Sequence, residues 1–164
     1  MNIFALDNDP RLAAQMMCDK HVVKMTLETA QILSTVMQEK FPNDPYLYKP
    51  THKNHPCVKW VRESYDNFMW LVRHGYALID EYTYRYGKRH KCTEIFSQVG
   101  LHNIHPDLMH SFPQIARTPF ILAMPDDCKL DDPVASYRLY YKKYKAGIAT
   151  WNKSRPQPEW WNES

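Results

Sequence analysis

Glycine is scarce in this chain: four residues in 164, against twelve prolines. That balance implies long helices separated by stiff, Pro-rich connections. No run of about 20 apolar residues exists, which excludes a membrane-spanning helix. The opening Met1–Asp7 has neither a basic region nor an apolar core, so it does not read as a signal peptide, and the expected location is cytoplasmic. Cys18, Cys57, Cys92 and Cys128 are widely spaced and form no CxxC pair, so free thiols are expected. GxGxxG, a Walker A loop, GxSxG and HExxH are all missing. Rossmann cofactors, nucleotide-dependent phosphoryl transfer and the serine-hydrolase elbow therefore have no motif here, and no cofactor is expected.

What is present is a globular composition, 44% apolar and 24% charged. The length suits one domain over residues 1–164 with a real core. Eleven Tyr and five Trp exceed what a core needs, and a net charge of +3 permits a polyanionic partner. The periodicity predicts a mainly α fold. One long helix spans about 10–40, opened by Asp9-Pro10 and closed by Phe41-Pro42. A second spans about 56–86, opened by Pro56 and capped by Gly87. Thr93–Val99 reads as a short helix stopped by Gly100, residues 101–125 as irregular chain, and Val134 to about Lys145 as a C-terminal helix. Asn2–Leu6 is an extended apolar segment. The tail at 154–161 is expected to be extended.

The stretch Cys18–Glu28 holds the main anomaly. At about 100° per residue, Leu12, Met16, Val22, Val23, Leu27, Ala30 and Leu33 share one face, and Asp19 projects from it. A carboxylate on an apolar face is paired or has a raised pKa, so Asp19 is either a site residue or a structural one. Opposite lie Lys20, Lys24 and Glu28, with His21 at the border. These residues line a site or form a solvated face with i,i+4 pairing. A third row on the second helix, Asn67, His74, Glu81 and Arg85, edges a cleft or pairs along the helix surface.

Two further clusters carry possible chemistry. From Tyr137 to Arg155 the chain interleaves Arg138, Lys142, Lys143, Lys145, Lys153 and Arg155 with Tyr137, Tyr140, Tyr141, Tyr144 and Trp151, and no acidic residue interrupts them. Cations for phosphates and rings for bases suit nucleic acid; the alternative is a Tyr face packed on the core with lysines in solvent. Around the second helix lie His52, His55, Cys57, His90 and Cys92. They fit no specific zinc spacing, and His55 instead suits capping while His52 suits a phosphate. Cys18 and His21 are three apart but point to different sides, which speaks against a thiol–imidazole pair.

The segments CDKHVVKM (18–25), KPTHKNHP (49–56), EYTYRYGK (81–88) and AMP (123–125) resemble a family of small phage and bacterial proteins that brings no activity with it. The order of elements is also similar to the pyrimidine-dimer DNA glycosylases. It runs from a short apolar start to a helix bearing an acidic residue, then Asn-His-Pro before a long helix ending Arg-Tyr-Gly, then an aromatic, basic C-terminus. That resemblance covers about the first ninety residues. It implies a compact helical enzyme that excises a damaged base with an N-terminal α-amine as nucleophile and a glutamate on the first helix. Those enzymes expose a small residue after Met removal, whereas a Met-Asn start is expected to keep Met1. Asp19 or Glu28 would take the glutamate's place, with His21 and His55 as acid, base or phosphate contacts. Lys20, Lys24, Lys49, His52, Arg85, Lys88, Arg138, Lys142, Trp151 and Arg155 would hold DNA. The competing readings are an enzyme of free nucleotides or modified bases, a non-catalytic nucleic-acid or protein-binding module, and a metal nuclease.

Overall fold

A computed structural model describes residues 1–163. Six helices form it, with no strand among the described residues: α1 Pro10–Met16, α2 Asp19–Lys40, α3 Pro56–Glu63, α4 Tyr65–Tyr86, α5 Thr93–Asn103 and α6 Pro133–Tyr144. The mainly α architecture expected from periodicity is what the chain adopts. Among the described residues, no helix is long and apolar enough to cross a membrane.

Both long helical spans are interrupted once. The first breaks at Met17-Cys18, whose backbone is extended. A restarted helix must find partners for its first N–H groups. The Asp19 N–H donates to Thr150 O, 2.9 Å away, from the C-terminal tail. The second span breaks at Ser64, whose hydroxyl accepts the Asn67 N–H at 3.1 Å and so caps α4. The Tyr65 and Asp66 N–H groups donate to Gln114 O and Ile115 O. Each break is thus completed by a segment far along the chain.

The break also shifts helical register. Asp19 is the first residue of α2 and not a mid-helix residue, and Val23 and Leu27, expected on the buried face, are exposed. The predicted polar row of α4 lies inside the molecule: Asn67, His74, Glu81 and Arg85 are all buried. Gly87 ends α4 at φ 63°, as its C-cap role requires. Gly100 does not stop α5. The helix runs through it, and the Tyr76 hydroxyl occupies the space where a side chain would start, 2.5 Å from an ideal Cβ.

The extended start Asn2–Leu6 is buried. It lies against α2 and α6, because Phe4 packs on His21 of α2 and on Tyr137, Tyr140 and Tyr141 of α6. The four cysteines are free and buried.

Candidate active site

The first four residues are held by one side chain. Asn2 Oδ1 accepts the N–H groups of Ile3 at 2.7 Å and Phe4 at 3.0 Å, and its Nδ2 donates to Ala123 O at 2.7 Å. The resulting turn puts Phe4 at φ 41°, a left-handed conformation that a bulky side chain tolerates only when its surroundings over-determine it. The turn delivers the backbone to a carboxylate: the Asn2 N–H donates to Glu28 Oε2 at 3.0 Å, and the Met1 α-amine lies 3.7 Å from the same oxygen. Lys24 Nζ stands 3.6 Å from Glu28 Oε1, one turn earlier on α2.

His55 completes this corner from α3. Its Nδ1 accepts the Cys57 N–H at 3.1 Å, so it caps α3, and the neutral ring carries its proton on Nε2. Burial, then the neighbouring α-amine and His52, lower its pKa, while Glu28 opposes them. Cys57 is close by, but burial pushes its thiol up to about 12 and leaves it an inert neutral group. The loop before α3 is pinned by Thr35, whose Oγ1 accepts the Thr51 N–H at 3.0 Å. The loop presents His52 to solvent at φ 49°, with exposed Lys49 and Lys53 on either side.

His21 shares this face of α2, seven residues before Glu28, which is about 10 Å along the axis. It is buried, and its Nδ1 lies 2.6 Å from the Tyr141 hydroxyl. Burial, reinforced by Lys145 and Lys24, lowers its pKa to about 4. At neutral pH its ring is an uncharged hydrogen-bonding group.

Asp19 is elsewhere, nine residues and about 13 Å along α2 from Glu28. Its Oδ1 accepts from Arg85 at 3.0 Å and its Oδ2 from the Asn152 N–H at 2.7 Å. Arg85 also donates to Glu81, Met17 O and Gln15 O, so four of its five N–H donors are used within the fold, and its side chain is fully buried away from any phosphate. Arg155 is bidentate to Glu81, and Trp151 Nε1 donates to Met16 O. Arg138 donates to Leu6 O and Asp7, and Lys142 to Glu163 O. The expectation that Arg85, Arg138, Lys142, Trp151 and Arg155 contact DNA therefore meets side chains already engaged within the fold. Lys20, Lys24, Lys49, His52 and Lys88 are exposed.

The candidate metal ligands do not gather. His52 Nδ1 pairs with Thr51, His55 Nδ1 with the Cys57 N–H, and His90 uses both ring nitrogens on Val23 O and the Cys92 N–H. No group of three or more His, Cys, Asp or Glu side chains poised for a metal occurs among the described residues.

An α-amine, a glutamate and a capping histidine thus meet in one corner. The family model for pyrimidine dimer DNA glycosylase matches residues 1–94, more than half of the chain. The chain belongs to this family. No curated protein and no solved structure matches it. The span shared with the pyrimidine dimer DNA glycosylase family contains the Met1 amine, Lys24, Glu28 and His55. It leaves out Ala123, Tyr141 and Lys145, which reach the same neighbourhood from the C-terminal half. Asn2 and Tyr141 are absent from the sequence-based site residues. The one local signal for Asn2 is an amide at the head of an apolar run. Tyr141 carried no signal beyond its place in a Tyr-rich helix.

Proposed function

We propose that this protein is a DNA glycosylase whose α-amine attacks the sugar of a damaged nucleotide, with Glu28 as the assisting carboxylate. The observation that carries this reading is the Met1 amine 3.7 Å from Glu28 Oε2. The Asn2 nitrogen sits at 3.0 Å from the same oxygen, so removal of Met1 would leave an amine in the same corner.

In this reading the amine lone pair forms a bond to C1′. The C1′–N bond to the base breaks, and the departing base takes the electron pair and a proton. Opening of the sugar at O4′ then yields an imine between protein and C1′. Glu28 stabilises the positive charge that grows on the sugar and receives the proton that the amine sheds. The imine makes the C2′ proton acidic. Its removal expels the 3′ phosphate, and water then hydrolyses the imine to free the amine. Exposed Lys20, Lys24, Lys49 and Lys88, with His52, hold the backbone on the surrounding surface.

Borohydride added during reaction with a duplex containing a pyrimidine dimer should reduce the imine and cross-link protein to DNA. Mass spectrometry should place the adduct on residue 1, or on residue 2 if Met1 is removed. Glu28→Gln should lower the yield of adduct by at least about 10²-fold and leave duplex affinity within a few fold. Base release with no trapped adduct, unchanged after acetylation of the amine, would exclude the amine as nucleophile. Saturable binding of mononucleotides with little salt dependence would instead favour a free nucleotide as substrate.

A further inference from the structure

The Tyr141 hydroxyl reaches α2 from α6, 120 residues away in sequence and outside the span shared with the family. Tyr141 is fully buried and His21 nearly so. The hydroxyl has three neighbours: the Cys18 N–H at 3.3 Å, His21 Nδ1 at 2.6 Å and Cys18 Sγ at 3.6 Å. A backbone N–H can only donate, so the phenol oxygen accepts from Cys18. The phenol has one proton to give, and an imidazole nitrogen at 2.6 Å is a far better acceptor than sulfur at 3.6 Å. The shorter contact favours His21 Nδ1 as acceptor, which puts the neutral ring's proton on Nε2; the alternative sends the phenol proton to Cys18 Sγ and keeps the imidazole proton on Nδ1.

The ring is also held in place. Phe4 covers it at 4.6 Å between centroids, and Tyr141 meets it edge-on at 5.2 Å. No protein group among the described residues is bonded to Nε2. The burial and the nearby Lys24 and Lys145 that keep the ring uncharged act in the same direction.

We propose that Tyr141 is a positioning residue: it fixes the tautomer and orientation of His21 so that a neutral Nε2–H donor meets an oxygen of the bound DNA beside the reacting nucleotide. The inference rests on the glycosylase reading, because it places substrate along the α2 face from Glu28 to His21. The two ends of that face are about 10 Å apart, so His21 meets a part of the substrate adjoining the sugar at Glu28.

Tyr141→Phe removes the hydroxyl and little else. Imidazole 15N NMR of the wild type should show His21 as the Nε2–H tautomer. In the variant the signal should become a tautomer mixture. The single-turnover rate of base release should fall about tenfold while duplex affinity changes less than about threefold. In a His21→Gln background the Tyr141→Phe change should add no further loss of rate, because its effect passes through His21. An Nδ1–H tautomer in the wild type would overturn the assignment, and that measurement needs no folded variant. A full additional rate loss in the His21→Gln background would also overturn it, since Tyr141 would then be acting on the fold. If the wild type releases no base, the glycosylase reading fails, and the NMR result still decides what Tyr141 does to His21.

Discussion

Asn2 fills three hydrogen-bonding roles within a few ångströms of the Glu28 carboxylate, and two of its partners are buried backbone N–H groups. Its carboxamide stands in for the helix or strand partners that residues 3 and 4 lack. Asn2→Ala should cost about 2 kcal/mol, because it leaves those donors unsatisfied. Its effect on base release should be larger than its effect on stability. Without the bond to Ala123 O the segment keeps only the Asn2 N–H bond to Glu28 and the packing of Phe4 to aim the amine, and misplacement by about 1 Å can cost about 10²-fold in rate. Urea denaturation and single-turnover assays on one preparation test this. Normal turnover in a destabilised variant would show that the amine finds its place without Asn2. Asn2→Asp keeps both acceptor bonds and loses only the donor, so it should fall between the two in stability.

At the scale of elements, helix type and approximate extent were legible, and the interruptions were not. Pro10 and Pro56 open helices where the sequence places them, and Gly87 closes one. Met17, Cys18 and Ser64 carry no Pro or Gly signal, and the carbonyls that complete those breaks belong to residues 114, 115 and 150. A local reading has no access to such partners. It therefore places Asp19 within a continuous helix, as a misfit that is either a site residue or a structural one. The misfit was real: Asp19 ties the start of α2 to Arg85 of α4 and to the Asn152 N–H of the tail. Asp19→Asn should then act on the fold. It leaves a buried guanidinium short of one countercharge, at a cost of about 3 kcal/mol. Turnover per folded molecule should stay within a few fold of wild type, in contrast to Glu28→Gln. A fully stable Asp19→Asn protein that has lost turnover would put Asp19 back among the catalytic candidates. The glutamate went undistinguished from Asp19 in the sequence because what marks it, the amine beside it, arrives from residue 1.

For the whole molecule, the family match stops at residue 94, but the interior does not. Tyr137 and Tyr141 are fully buried, and Arg138 donates to Leu6 O. The C-terminal half is therefore part of the core that seats the first residues. Two histidines in that interior set a condition on pH. His21 and His74 are buried, and burial lowers each to about 4 from 6.5. His74 stacks on Trp70, its Nδ1 donates to Pro10 O, and its Nε2 has no partner. Between pH 6.5 and about 4 the unfolded chain binds a proton at each position and the folded chain does not, so stability is full above 6.5 and falls with pH through that window. The slope is about 1.4 kcal/mol per pH unit for each histidine, or about 3 kcal/mol each across the window. Two such terms, about 6 kcal/mol, are comparable with the whole stability of an ordinary domain. Urea midpoints taken from pH 7 to 4.5 should decline steeply. His74→Phe, which keeps a ring against Trp70, should roughly halve the slope whatever it does to the value at pH 7. A profile that stays flat down to pH 4.5 would mean that both rings take up a proton in the folded state, and His21 could then no longer be a neutral donor below pH 6.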